Sequence, residues 1–287
     1  MTRSKIWTWR KMKRWIDEGR GLGELSEYRP WIMVNDFSSK GTVCRELGIK
    51  TKRMHHFLSH LEYNYFLLLD FSNQVMDIRE QYPLLDLELA MEIADEKNIK
   101  YPTDSRSSTP YIMSTDFIIT VNEKKYEKII ARTVKPSNEL GKKRVQEKFE
   151  IERCYWKRKN IDWGIITEQD IPRTLVNNLK RIRNAHMVMS YPKLTKEVLQ
   201  LLEKFVVYLN DSVVCLEQSL EFFNRENKLK NGTALTFFCF LVFHHVIKMN
   251  LHQEFKIHLL TREDFYVDRE VFYGYFISQY DFGREYR

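Results

Sequence analysis

Two β-branched runs separated by a short polar connection constrain the fold of this chain more than any other sequence feature. The runs cover residues 111–121 and 127–134, and only five residues lie between them. β-Branched and aromatic side chains favour extended backbone, and a short polar connection lets the second run fold back on the first. The segment is therefore predicted to form a β-hairpin.

One acidic side chain stands inside the first arm of this hairpin. Asp116 follows Ser114 and Thr115 and precedes an apolar run. An ionised carboxylate in such a strand is costly unless a metal ion, a cation or solvent meets it. In the second arm, period-2 alternation places Thr133 and Lys135 on one face, which Asp116 can share. A carboxylate and a lysine on one face suit metal-assisted phosphodiester hydrolysis, although an ordinary ion pair would explain Asp116 equally well.

The segments around the hairpin predict a mixed sheet with helices against it. Ser59 and Glu62 match a capping box at the start of a helix, which would bring Glu62 towards Asp116. The other predicted elements of this part are a strand at 74–85, a helix at 139–159 and a strand at 162–167.

The remaining sequence is mostly helical by pattern. A length of 287 residues favours two domains, here divided as 1–170 and 171–287. Predicted elements of the second domain are helices at 194–210, 213–228 and 233–249, followed by strands at 254–260 and 265–267. They would form a winged-helix-like unit or a plain helical bundle.

Basic residues are concentrated at the start of the chain. Lys and Arg number 46 against 39 Asp and Glu, and residues 1–60 hold 13 basic and 6 acidic side chains. This excess favours a polyanionic partner, and solubility is the alternative explanation. Residues 5–16 interleave three tryptophans with Arg10, Lys11, Lys13 and Arg14, which indicates a helix that either binds DNA or packs its tryptophans inward. The candidate DNA-binding residues are Arg10, Lys11, Lys13, Arg14 and Arg53.

The four cysteines and the apolar runs indicate in which cellular compartment the protein is expected. The cysteines are too widely spaced for a C-x-x-C metal knuckle and too few for a disulfide-stapled fold, so they are read as reduced thiols. The longest apolar run, 234–243, is too short to span a bilayer, and no signal peptide is recognisable at the start. We expect a cytosolic protein that is neither secreted nor bound to a membrane.

Five sequence segments, taken together, resemble the TnsA endonuclease subunits of heteromeric transposases. They occur in the same order and at compatible spacing within residues 21–167, and beyond about residue 172 only the length and helix-rich character are similar. The segments are KRMHHFLSHLE at 52–62, DIREQYPL at 77–84, MSTDF at 113–117, VKP at 134–136 and EIERCYW at 150–156.

The resemblance implies a restriction-endonuclease-like α/β catalytic domain that uses Mg²⁺ or Mn²⁺, with two ions bound. It implies Glu62 and Asp116 as catalytic metal ligands and Lys135 as the catalytic lysine. Two positions before that lysine the family pattern has Gln or an acidic residue, whereas this chain has Thr133. A hydroxyl is a poorer ligand, so a second ion would be bound more weakly or would rely on water and the Val134 carbonyl.

Three further residues of the shared segments are second-tier candidates for supporting the site. Each also has a structural explanation: Glu80 as a strand-edge charge, Glu152 as part of a solvated helix face, and His56 as a packing or capping residue.

By resemblance, the chain would cleave the non-transferred 5′ strand at transposon ends. A TnsB-like transposase would process the other strand, and a TnsC-like AAA+ ATPase would dock on the second domain. The resemblance also implies a cytoplasmic bacterial protein that joins the nucleoid when assembled on DNA, and no membrane partner is expected. Two alternatives stay open: a non-catalytic DNA-binding scaffold with a degenerate nuclease core, for which Thr133 is the best argument, and a stand-alone defence nuclease with the same core.

Overall fold

A computed structural model describes residues 6–36, 43–123, 126–190, 194–211 and 214–277. The chain divides into two compact units, Met1–Ile171 and Pro172–Arg287. Within the described residues no helix is both long and apolar enough to cross a membrane.

The first unit is built on a four-stranded mixed sheet. Its strands are β3 (Val75–Pro83), β4 (Ser114–Glu123), β5 (Tyr126–Val134) and β6 (Asp162–Ile166). They lie in the order β3-β4-β5-β6, with antiparallel pairing between the first three and parallel pairing between β5 and β6. The predicted hairpin is present as β4 and β5. Parallel pairing of β6 requires a crossover, which helix α4 (Lys143–Arg158) supplies.

Further elements of this unit surround the sheet. They are α1 (Trp9–Asp17), the antiparallel hairpin of β1 (Cys44–Leu47) and β2 (Met54–Phe57), α2 (His60–Phe71) and α3 (Leu87–Glu96). Helix α3 was not foreseen from the sequence. Asp86 caps its start by accepting from the backbone N–H of Leu89, and Ala90, Ile93 and Ala94 form its buried stripe.

Buried side chains pack on the sheet in two groups. Ile118 and Ala131 of the central strands contact a core with Ile151, Tyr155 and Trp156 of α4. The second group is aromatic: Phe117 of β4 packs near Tyr65 of α2 and near Phe57 of β2, which in turn lies against Phe66. Helix α4 therefore packs on the sheet through the first group. Helix α2 and the β1–β2 hairpin pack on it through the second group.

The tryptophans near the start of the chain form a separate cluster. Trp7, Trp15 and Trp31 are buried with edge-to-face ring contacts at centroid distances of 5.0 to 6.1 Å. Trp9 is 60% exposed. Of the two interpretations of this segment, inward packing describes Trp7 and Trp15, while Trp9 remains at the surface.

The second unit is helical, with a small antiparallel sheet. Its elements are α5 (Arg173–Ser190), α6 (Lys196–Asp211), α7 (Leu216–Glu226), α8 (Thr233–Phe243), β7 (Ile247–Met249), β8 (Phe265–Val267) and α9 (Arg269–Phe272). The expected strand at 254–260 is wrong, since those residues form turns and β8 pairs with β7 instead. Helix α8 ends at Phe243, six residues before the predicted end at 249, because the chain turns at 244–245 and residues 247–249 form β7. Helix α5 was not predicted.

Candidate active site

Glu62 is fixed at the first turn of α2. The Ser59 side chain caps this helix by accepting from the Glu62 backbone N–H at 3.1 Å. The Glu62 carboxylate then accepts from the Ser59 hydroxyl and from the Leu58 backbone N–H, each at 2.9 Å. The predicted capping box is therefore present in a modified form, because the carboxylate reaches Leu58 rather than the Ser59 backbone.

Asp116 is held by the neighbouring strand. Its Oδ2 accepts from the backbone N–H of Val134 at 2.7 Å. This N–H serves the Asp116 side chain at the point where the regular β4–β5 pairing ends, beyond Phe117 and Arg132. Asp116 is thereby oriented by a rigid backbone donor.

A glutamine that the sequence analysis did not select joins the two carboxylates. Gln81 of β3 donates from Nε2 to Glu62 Oε2 at 3.2 Å and to Asp116 Oδ1 at 3.3 Å. Its amide oxygen accepts from the Ser114 hydroxyl at 3.2 Å. Gln81 is only 2% exposed. These contacts bring Glu62 and Asp116 together, as predicted, and add an amide between them.

Gln81 reaches this position because the strand departs from extended geometry there. Its backbone φ is +49°. The β3–β4 register is the same before and after it, with Glu80 opposite Phe117 and Tyr82 opposite Thr115, so Gln81 lies opposite Asp116. A non-glycine residue with positive φ is uncommon and breaks the regular alternation of side chains.

The alternation on β4 also changes phase at Asp116. Thr115 and Phe117 should share a face, yet Thr115 donates to Glu152 of α4 whereas Phe117 contacts Tyr65 of α2. This interruption places the Asp116 side chain beside Gln81. From Asp116 onward, the side-chain alternation of β4 no longer matches that of β5. No pattern in the sequence marks this change, since it depends on a tertiary constraint.

Burial changes the protonation of both carboxyl groups. Burial, followed by repulsion from Asp116, raises the pKa of Glu62 to about 8. Burial raises the pKa of Asp116 to about 6, against the lowering effects of Val134, Gln81 and Lys135. Such a pair favours either a proton or a cation between its members.

Lys135 follows β5 and lies near enough to Asp116 to lower the pKa of that carboxyl. Its ammonium pairs with Glu139 at 3.0 Å. The lysine side chain is 35% exposed, so it is accessible from solvent. The structure therefore places Lys135 within electrostatic reach of Asp116, with Glu139 as its direct partner.

Thr133 does not face this cluster. Its hydroxyl donates to Glu152 Oε1, the atom that also accepts from the Thr115 hydroxyl at 2.6 Å and from the Trp163 indole at 3.1 Å. The expectation that Thr133 and Asp116 share a face is wrong, because β4 changes phase at Asp116 and β5 does not. Glu152 itself is buried rather than on a solvated helix face, and burial raises its pKa to about 7.

Glu80 belongs to a buried ion-pair cluster and is not an exposed charge at a strand edge. Its carboxylate accepts from Arg53 Nη1 at 2.8 Å and from the His56 backbone N–H at 3.0 Å, and it contacts His55 Nδ1 at 2.7 Å. Although burial alone would raise it, the pKa of Glu80 lies well below its usual range because of His55 and Arg53. Since its guanidinium is buried in this cluster, Arg53 does not fit the predicted DNA-binding role.

The remaining sequence candidates lie elsewhere in the first unit. His56 is half-buried, its Nδ1 accepts from the Val34 N–H at 3.2 Å, and burial lowers its pKa. Lys11 lies over the rings of Trp7 and Trp15, at 5.6 and 5.2 Å from their centroids. The exposed cations of α1 are Arg10, Lys13 and Arg14.

The oxygen atoms of this cluster determine whether it suits a divalent metal. Within the described ranges no group of three or more His, Cys, Asp and Glu side chains is arranged to hold a metal ion. Two carboxylates and one amide nevertheless converge, and all three offer the oxygen ligands that Mg²⁺ and Mn²⁺ take. The Gln81 nitrogen, which contacts both carboxylates, marks a position that a cation would satisfy. The residues fit one such ion.

Fold and site together define an α/β nuclease-like domain, in which a mixed sheet presents carboxylates and a lysine at one end. Residues 72–168 match the family described as TnsA-like endonuclease N terminal. These residues form a TnsA-like domain, and the resemblance of the sequence to TnsA is confirmed. Gln81, Asp116 and Lys135 lie inside the matched segment, and Glu62 precedes it.

A relative extends this comparison beyond the residues of the family model. The chain is 39% identical over 170 residues to the transposon Tn7 transposition protein TnsA of Escherichia coli. The aligned residues make up 59% of this chain and 61% of that protein, so the similarity spans less than two thirds of either.

Proposed function

We propose that this chain is a divalent-metal-dependent DNA endonuclease of the TnsA type, which cleaves the non-transferred 5′ strand at transposon ends. The observation that carries the proposal is the convergence of Glu62 and Asp116 on one amide, next to Lys135, in a domain similar to the TnsA endonuclease. Carboxylates and a lysine at the end of a rigid sheet are suited to phosphodiester hydrolysis.

Glu62 and Asp116 would hold Mg²⁺ or Mn²⁺. When bound, such an ion polarises the scissile phosphate and lowers the pKa of a water molecule. The chain prepares the site by fixing both carboxylates with backbone donors, Leu58 N–H for Glu62 and Val134 N–H for Asp116. The Thr133 hydroxyl is used by Glu152, so a second ion would depend on water and on the Val134 carbonyl.

Lys135 would act on the phosphate and the attacking water. Its ammonium offsets negative charge on the phosphoryl oxygens and orients a water for attack. Glu139 holds this ammonium at 3.0 Å, and Lys142 pairs with the same carboxylate at 3.4 Å. Lys142 therefore leaves Glu139 with a cationic partner when Lys135 turns towards DNA.

The exposed cations of α1 would contact the DNA backbone outside the cleavage site. Arg10, Lys13 and Arg14 are solvent-accessible, and Trp9 beside them is 60% exposed. Neutralising phosphates with such cations provides affinity without base specificity. Selection of the transposon end would then come from the partner proteins.

The two units would have different functions. The first is the catalytic domain, and the helical second unit, with its β7–β8 pair in a winged-helix-like arrangement, would receive a TnsC-like AAA+ ATPase. A TnsB-like transposase would cut and join the other strand. The resemblance to TnsA supports these partners.

The test is strand-resolved cleavage of labelled transposon-end DNA by the chain together with a TnsB-like transposase and a TnsC-like ATPase. Asp116→Asn and Lys135→Met should each lower non-transferred-strand cleavage by at least about 100-fold. Glu127→Gln, at an exposed position of the same sheet, should cleave like wild type. Joining of the transferred strand should survive in all variants.

A non-catalytic scaffold is the second candidate, favoured by the orientation of Thr133 towards Glu152. This candidate predicts that wild type and Asp116→Asn leave the non-transferred strand equally intact while the complex still assembles. A stand-alone nuclease would instead cut DNA without the transposase or the ATPase.

A further inference from the structure

The function proposed above gives Gln81 no chemical role of its own, yet this residue connects the two carboxylates. Its amide nitrogen donates to two acidic oxygens, one on Glu62 and one on Asp116. The side chain is 2% exposed, so the amide is withdrawn from solvent. A buried amide placed between two acids occupies the position where positive charge is most stabilised.

The backbone at Gln81 is built to present this side chain. Its φ of +49° is unfavourable for a residue with a Cβ and persists only where surrounding contacts fix it. Such contacts are present on both sides of the residue. The Gln81 carbonyl accepts from the Trp31 N–H at 3.1 Å, and the preceding carbonyl, of Glu80, accepts from the Tyr28 hydroxyl at 3.0 Å.

Ser114 gives the Gln81 amide freedom to turn without losing a partner. The serine hydroxyl donates to the amide oxygen at 3.2 Å. A hydroxyl can also accept, so it can equally receive a hydrogen bond from the amide nitrogen. A half-turn about the last side-chain bond would exchange the two ends of the amide, direct its oxygen towards Glu62 and Asp116, and keep Ser114 bonded.

We propose that Gln81 is a third oxygen ligand of the cation held by Glu62 and Asp116. Without a cation its amide nitrogen bridges the two carboxylates, and with a cation the amide turns its oxygen inward. Amide oxygens are ordinary ligands of hard divalent ions. The inference rests on the proposed function, because it requires that the carboxylate pair binds such an ion.

The test is binding of Mn²⁺ to the full chain, measured by calorimetry and by electron paramagnetic resonance of the ion, in the absence of DNA. Gln81→Met removes both the bridge and the ligand and should weaken Mn²⁺ binding by at least about tenfold. Gln81→Glu should bind Mn²⁺ as tightly as wild type or more tightly, because it offers a carboxylate oxygen at the same place. Gln74→Met makes the same change at an exposed position just before β3 and should bind like wild type.

Gln81→Glu also distinguishes a metal ligand from a residue that only donates hydrogen bonds to the two acids. Three neighbouring carboxylates repel one another, so this variant should unfold at a lower temperature than wild type without Mn²⁺ and should gain more stability than wild type when Mn²⁺ is added. If Gln81→Glu and Gln81→Met weaken Mn²⁺ binding equally, the amide acts only as a donor to the two acids and the proposal is wrong.

Asp116→Asn distinguishes failure of this inference from failure of the proposed function. If Asp116→Asn abolishes Mn²⁺ binding while Gln81→Met binds like wild type, Gln81 is not a ligand and the metal site itself stands. If Asp116→Asn also binds Mn²⁺ like wild type, the carboxylate pair is not the metal site, and both the function and this inference are overturned.

Discussion

Single residues decide which side chains meet at the site, and here a short interruption of strand alternation has the largest effect. Simple alternation placed Thr133 and Asp116 on one face, whereas the positive φ at Gln81 and the phase change at Asp116 separate them. Thr133 instead bonds to Glu152, whose Oε1 collects donors from two hydroxyls and an indole. Thr133 therefore stabilises the fold next to the site.

Thr133→Val tests this assignment, since valine keeps the shape and removes the hydroxyl. Loss of one donor to the buried Glu152 should lower the free energy of unfolding of the first unit by about 1–3 kcal/mol. Mn²⁺ affinity should stay unchanged. Urea unfolding followed by tryptophan fluorescence gives the first quantity, because all six tryptophans lie within residues 7–163.

Thr133→Ser retains the hydroxyl and is the matched control, expected to recover most of the lost stability. A Thr133→Val variant with unchanged unfolding but weakened Mn²⁺ binding would return Thr133 to the list of metal ligands.

Among the elements, the β1–β2 hairpin is anchored to the sheet through Glu80. Arg53 reaches across from the start of β2 to Glu80 and to the Ile78 carbonyl, and His55 contacts the same carboxylate. The partners of this fully buried acid lower its pKa below the usual range. Folding therefore depends on keeping Glu80 ionised, and the hairpin positions α2 and hence Glu62.

This coupling predicts a pH dependence of stability. A depressed pKa in the folded state contributes stability that is fully present above the unfolded pKa of about 4.5 and is lost as pH falls towards the folded value. Tryptophan-monitored urea unfolding should show a decline in wild-type stability below about pH 4.5. Glu80→Gln should cost about 3–5 kcal/mol at pH 7 and flatten that decline.

Glu92→Gln is the control for this experiment, because Glu92 is an exposed acid paired with Arg158 at the surface. Its loss should change stability by less than about 1 kcal/mol and leave the acid profile intact. If Glu80→Gln declines with pH as steeply as wild type, other acids control the acid transition.

Elements with strong local patterns were predictable, and those defined by tertiary contacts were not. The hairpin of β4 and β5, strand β3 and the helices α2 and α4 follow from β-branching, capping and amphipathic spacing. The end of α8 could not be predicted, because residues 237–243 are all buried and give no periodicity. Glu62, Asp116 and Lys135 were selected through residue chemistry and the resemblance to TnsA. Gln81 was missed because only its unusual φ makes it part of the site.

At the scale of the whole molecule, the chain consists of two units with separate cores, and the candidate chemistry lies in the first. The match to the TnsA-like endonuclease family covers residues 72–168, inside the unit Met1–Ile171. The second unit contains no tryptophan. Most of its described residues are helical. Fluorescence therefore reports on the first unit alone, and circular dichroism reports on the helices of both.

Because a ligand stabilises only the unit whose folded state binds it, Mn²⁺ should raise the unfolding temperature of the first unit and leave the second unchanged. At 100 times the dissociation constant, the gain is about 2.7 kcal/mol. The tryptophan-detected transition should shift upward with Mn²⁺ and return when the ion is chelated, while a helical transition detected only by circular dichroism should stay in place. Asp116→Asn should abolish the shift. A shift that persists in Asp116→Asn would locate the ion outside the carboxylate pair, and a shift of both transitions would mean that the two units unfold as one.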